Sequence, residues 1–211
     1  MALLNEMEER TEARLVGRLG FVCMAAAILS GLLLGSWEMA RPVFGGARYT
    51  LNPASPAQLW SYGVLQAFKS VGFVSGLFGF FLVATQRGSL LKVIMCLAAL
   101  GGTFYAVVWI MIAFTARDDA IYVLNRPIGS DAHSNGGFLF LWIFPITIGV
   151  EALFARRIPR WKSIWVIFVG LLGPRIFGLF GPGVAMLIEG VFWLALGYIV
   201  YFSRRGASMR S

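Results

Sequence analysis

Four ionisable residues fall inside long apolar runs: Lys69, Glu151, Arg175 and Glu189. Charge in lipid is costly, at least about 2.5–3.5 kcal/mol per group at the bilayer centre, so each needs a partner or a purpose. Arg175 and Glu189 lie seven residues before and seven after Pro182, within the turn Phe180-Gly181-Pro182-Gly183. In an antiparallel hairpin, equal distance from the turn means equal depth. At 1.5 Å per residue, both sit about 10 Å below the outer end, and an ion pair between them would lower the insertion cost of both. Lys69 is expected slightly deeper, on another run, with Gln66 one turn before it and Ser70 beside it. Tyr105 and Trp109, one turn apart on a third run, reach similar depths. A polar pocket built from Gln66, Lys69, Tyr105, Trp109, Arg175 and Glu189 would hold two bases and one acid. Its formal charge of +1 suits a carboxylate or phosphate. The competing account of the same residues is a buried polar clasp that fixes helix register.

Other chemistry finds little support. Cys23 and Cys96 each lie in an apolar run without a CxxC or Cys/His spacing, and read as small apolar fillers. The one histidine, His133, stands near Asp131, Asp118 and Asp119 in a spacing that matches no metal motif. No Gly-rich phosphate loop, paired-His helix or nucleophile elbow is present. No catalytic residue, metal site or cofactor is expected. Glu151 lies about a turn before Arg156 and Arg157 and reads as snorkelling with them toward water.

These residues need apolar helices to position them, and the composition supplies those. Of 211 residues, 58% are hydrophobic and 13% charged, with a mean hydropathy of +0.76. A soluble domain carries nearer a quarter charged residues, so the solvent for this surface is lipid. Runs long enough for a membrane helix cover roughly 19–37, 59–84, 90–115, 137–155, 163–181 and 184–203. The fold class expected is an all-α, polytopic bundle of six transmembrane helices. An 18-residue N-terminal segment holding both acid and base precedes it and reads as helical, and a basic tail follows over 204–211. The first run has no small-x-small cleavage pattern just beyond it, so it reads as an uncleaved span.

Basic residues set the orientation. Twelve Lys and Arg fall on the side of the termini and the 85–91 and 156–162 connections, against four (Arg41, Arg48, Arg117, Arg126) on the other. The positive-inside rule then puts both termini in the cytoplasm. The net charge of +8 is thereby a topology signal, and nucleic-acid binding is not expected. Trp37, Trp60 and Trp161 near run ends suit interfacial anchors.

Packing signals recur within the runs. Gly31 with Gly35, and Gly72 with Gly76, are small residues at four-residue spacing. They read first as sites of close helix approach within one chain, and second as an oligomer interface. Gly170, Gly173, Pro174 and Gly178 crowd the fifth run, where Pro174 is expected to kink or break the helix.

Three short stretches carry a likeness. Glu12-Ala13-Arg14-Leu15-Val16-Gly17 leads into the first run, and Arg157-Ile158-Pro159-Arg160 precedes the fifth. Ile188-Glu189-Gly190 opens the sixth, continuing to Trp193-Leu194-Ala195-Leu196 and the basic end Arg204-Arg205. The pattern resembles a family of uncharacterised bacterial six-helix integral membrane proteins, classified only as a domain of unknown function. Members look similar in a Leu-Pro step before the fifth span and a Gly-Glu near the start of the sixth. This chain has Glu-Gly at 189–190 instead. The resemblance implies the six-span layout, a bacterial inner-membrane location and some importance for Glu189. It implies no activity.

The leading functional expectation is therefore a membrane protein that binds or transports a small anionic or amphipathic molecule through the outer-half pocket. Its partners would be membrane lipids and that ligand. An accessory or scaffold subunit, in contact with another membrane protein or a second copy, is the alternative. A lipid-modifying enzyme using Glu189 as acid or base comes third, lacking a nucleophile or metal to go with it.

Overall fold

The computed structural model describes residues 2–40, 56–85, 88–115, 143–180 and 182–207; within the helices, side chains at some terminal turns and throughout 173–180 are outside the description. All regular structure among these residues is helical. Helix α1 (Ala2–Ala26) passes through a wide π turn at Ala27–Leu32 into α2 (Leu33–Ala40). Then come α3 (Pro56–Ala84), α4 (Ser89–Thr115), α5 (Phe144–Ala155), α6 (Arg160–Phe180) and α7 (Pro182–Ala207).

Among the described residues, four stretches are long and apolar enough to cross a membrane: Arg10–Ser36, Gly63–Ala84, Leu90–Met111 and Gly183–Ser203. A bilayer core needs about 20 such residues. Helix α6 has the length, at 21 residues. The described part of the expected 137–155 span is α5, with 12 residues, since 137–142 lie outside the described residues.

Helices α3 and α7 form the centre and run parallel, as Lys69 meets Glu189, Phe73 meets Trp193, and Gly79 meets Val200. Helix α1 lies antiparallel across both. Its residues Ala26, Cys23 and Leu19 stand against Gly72, Gly76 and Gly79 of α3. In lipid there is no hydrophobic exclusion to press helices together, so intimate packing must do so. A Cβ added at Gly31 would lie 2.5 Å from the Gly190 Cα, so the two backbones touch there. At Gly72 it would overlap the Ala26 Cβ, and at Gly76 the Cys23 Sγ. The small-residue steps are thus spent within the chain. Around this trio α4 packs on α3, α6 on α7, and α5 on α6 with a lighter touch to α3 and α4.

The α5–α6 connection closes in a few residues. Arg156 takes the left-handed conformation (φ 54, ψ 25), its N–H bonded to the Ala152 carbonyl, and so terminates α5. Pro159 precedes the first turn of α6, where its carbonyl accepts from the Lys162 N–H at 3.0 Å. At the same end of the bundle, the Lys162 ammonium donates to the Ser203 hydroxyl at 3.1 Å and ties α6 to α7.

Two expectations change. Pro174 does not break its helix, since α6 continues from Arg160 to Phe180 as one α-helix. The backbone irregularity sits instead in the first span, at Ala27–Leu32, where no proline marks it. Nor do the cysteines share one role. Cys23 is a buried filler against Gly76, whereas Cys96 is exposed on α4.

Candidate functional site

Within the stretches Gly63–Ala84 and Gly183–Ser203 there is one charged residue apiece, Lys69 and Glu189. The fold brings these two together. The Lys69 Nζ donates to the Glu189 Oε2 in a direct salt bridge, and their side chains keep only 10% and 8% of their surface exposed. Each lies six residues beyond the first residue of its apolar stretch, Gly63 and Gly183, or about 9 Å along the helix. Lys69 was expected deeper than Glu189. It reaches the same level because α3 begins at Pro56, so Trp60 and Ser61 stand above the apolar stretch.

An identical local device sits on both helices: a charged residue with an aromatic ring one turn further in. Lys69 is followed by Phe73 and Glu189 by Trp193. Two parallel helices in register then place charge against charge and ring against ring. Phe73 and Trp193 stack with centroids 4.0 Å apart and planes 7° from parallel. The Lys69 ammonium lies 5.4 Å from the Phe73 centroid, close enough for cation–π attraction of about 0.5–2 kcal/mol in so dry a place. Below the rings begins the large apolar core of Leu77, Phe80, Leu196 and Val200.

Above and beside the pair the composition differs. The buried Gln66 and Ser70 flank Lys69 on α3, and the Ser70 hydroxyl donates to the Gln66 carbonyl at 3.0 Å. A second, smaller apolar cluster gathers Leu34 of α2, Ala67 of α3, Ala106 and Trp109 of α4, and Met186 of α7. Tyr105 packs against it, its ring edge-on to Trp109 at 6.1 Å. The third wall is the π turn. Gly31 faces Gly190, next to Glu189, and Ala26 faces Gly72, a turn from Lys69, so Ala27–Leu32 runs past the ion pair. Ser30 is buried there and its hydroxyl donates to the Ala26 carbonyl. Single π turns in α-helices occur often at functional sites.

Of the six residues expected to share a pocket, the structure places Lys69 and Glu189 in contact, Gln66 beside them, and Tyr105 and Trp109 in the adjoining cluster. The Arg175 side chain, and with it the expected Arg175–Glu189 pair, lies outside the described residues; among the described residues Glu189 pairs with Lys69. Glu151 is half-buried on α5, before the exposed Arg156 and Arg157. His133, Asp118, Asp119 and Asp131 lie outside the described residues. Sequence reasoning missed the π turn and the Phe73–Trp193 stack. The matched charge-then-aromatic spacing on two spans was the available signal for the stack.

No family model matches the chain, and comparison with curated proteins and with solved structures finds no match either.

Proposed function

We propose that this chain is a multi-pass bacterial inner-membrane protein of six spans, with both termini in the cytoplasm, that binds or carries a small anionic or amphipathic molecule at the level of Lys69 and Glu189. The observation that carries the reading is the buried ion pair itself. Stability alone does not call for it, because well-packed apolar residues serve as well as or better than a buried salt bridge. Charges retained in the outer third of an apolar bundle therefore point to a task. The surroundings suit a binding site: a cation that a ligand's acid group can share, a small apolar cluster for its tail, and an irregular helix turn alongside. Sites near the midplane flanked by irregular helices are common in transporters. The orientation rests on the twelve-to-four distribution of basic residues.

The test is thermal unfolding of the detergent-purified protein against a panel of short-chain carboxylates, alkyl phosphates, alkanesulfonates and anionic lipids. The expected result is stabilisation by one or more anions in the wild type and its loss in Lys69→Met. A flat response across the whole panel, from protein that unfolds cooperatively, sinks the reading.

A second reading, an accessory subunit of a larger membrane complex, is favoured by α4. That helix is the least buried of the four candidate spans. It turns Leu97, Leu100, Phe104, Val107, Met111 and Phe114 outward. A protein that survives purification only with a partner, and ignores every ligand, would put this reading first.

A further inference from the structure

This inference rests on the binding reading above and concerns what happens to Glu189 when an anion arrives. We propose that the site couples anion binding to uptake of one proton: the ligand's acid group replaces Glu189 as the counter-ion of Lys69, and the released Glu189 carboxylate takes a proton from the outer aqueous side. Counted over the described side chains, the Lys69–Glu189 pair then stays neutral in both states.

The charge inventory drives the argument. Elements packed on α7 are α1, the π turn, α2, α3 and α6. From Leu19 to Ser36, the first span brings no charged residue, and α3 brings Lys69 alone within Gly63–Ala84. Glu38 of α2 lies nearly two turns further out than Gly31–Leu32, and Arg175 lies on α6 as many residues from Pro182 as Glu189 does; the side chains of both are outside the described residues. The other titratable groups here are Tyr105 of α4, packed against the adjoining cluster, and Cys23 of α1, whose thiol donates to the Trp193 carbonyl one turn inward of Glu189. Among the described side chains the resting level thus holds one positive and one negative charge in direct contact. A monoanion added to that pair leaves a surplus negative charge where little water reaches. Burying an unpaired ion costs far more than neutralising it by protonation. The Lys69 ammonium has three N–H donors, one of them on Oε2, but a single positive charge to share between two anions. Proton uptake by Glu189 removes both the repulsion and the competition.

The site also sets the shape of the ligand. Met186 lies one turn outward of Glu189, and Ala67 lies two residues outward of Lys69. Both belong to the cluster with Leu34, Ala106 and Trp109. A monoanionic head on a short apolar tail fits, with the head on Lys69 and the tail toward this cluster.

Hexanesulfonate is the probe, because it stays ionised at every working pH and any proton taken up belongs to the protein. Calorimetric titration of the detergent-solubilised wild type, in buffers of different ionisation enthalpy, gives the proton number. The expected result is about one proton absorbed per anion bound, with affinity then rising about tenfold for each unit of falling pH. The sign follows from mass action: binding that absorbs a proton is favoured by acid. Glu189→Gln, an uncharged stand-in for the protonated side chain, should bind at least as tightly, absorb no proton and lose the pH slope. If that variant does not fold, the wild-type proton number decides alone. Hexanesulfonate binding without proton uptake overturns the coupling and leaves the binding reading intact. Binding that survives Lys69→Met but is lost in Arg175→Gln overturns it too, since Arg175 is then the counter-ion. No response to hexanesulfonate, where another anion of the panel binds, overturns the ligand class proposed here.

Discussion

In the proposed orientation, with both termini inside, the inner and outer halves of the bundle are built on opposite principles. Inward of Phe73 and Trp193, the core is a dry mosaic of Leu77, Phe80, Ala84, Leu196 and Val200. There α1 is pressed against its neighbours through Gly20, Gly76, Gly79 and Gly197. Outward of the stacked rings come a salt bridge, a buried glutamine, two buried serines and a π turn. In the first half the buried polar groups, Thr85 and Ser163, stand at the far helix ends; in the other they gather at one level inside the bundle, with bonds that can be traded for a ligand's. Polar groups are tolerated where neighbouring packing already fixes the helices. The inner half fixes the helices relative to one another, and the outer half can then hold polar groups that contribute little to holding the bundle together.

Substitutions can break that contrast or sharpen it. The largest effect is expected at Gly76→Val, where added bulk meets the Cys23 Sγ between two helices in contact. Overpacking usually costs about 1–3 kcal/mol, occasionally more, and here the cost exceeds that range because neither backbone can retreat without opening the core. Loss of a monodisperse folded species in size-exclusion chromatography is the readout. Trp193→Ala should follow, at about 3–5 kcal/mol in reversible unfolding, because it empties the stack that separates the halves. Lys69→Met alone should also be costly, about 3–5 kcal/mol, since it leaves Glu189 buried without its counter-ion. The double change Lys69→Met with Glu189→Met should recover most of that loss. Recovery would say that the pair serves something other than stability. A double variant no better than the single ones would move the pair into the structural half of the comparison. The smallest effect, about 1 kcal/mol or less, is expected for Ser30→Ala, whose hydroxyl bonds to the carbonyl one turn back. If that change altered anion binding while sparing stability, it would tie the π turn to the site.

Much of this was legible in the sequence, and the reason differs from feature to feature. Gly72 and Gly76 announced a close helix contact, because small residues one turn apart have little other use in a membrane helix. That the contact lay inside the chain needed the partners Ala26 and Cys23. Lys69 and Glu189 stood out as charges in apolar runs, yet counting residues from the hairpin turn favoured Arg175 as the partner of Glu189. Depth along a helix is countable; rotation about its axis is not. The α-to-π transition at Ala27–Leu32 had no proline to betray it, while Pro174, which looked like a breaker, sits within a continuous helix.

Composition and run length were enough to set the apolar character, the helical class and the few positions where charge enters an apolar run. Each of these is a property of single residues or of neighbours along the chain, summed over a window the length of a helix. Only the tertiary structure decided which charge meets which, which glycines face one another and where the backbone widens. Those outcomes depend on the relative rotation of helices distant in sequence, Lys69 and Glu189 being separated by 120 positions. Rotation is set by the fit of whole helix surfaces, to which any single residue contributes only a small part.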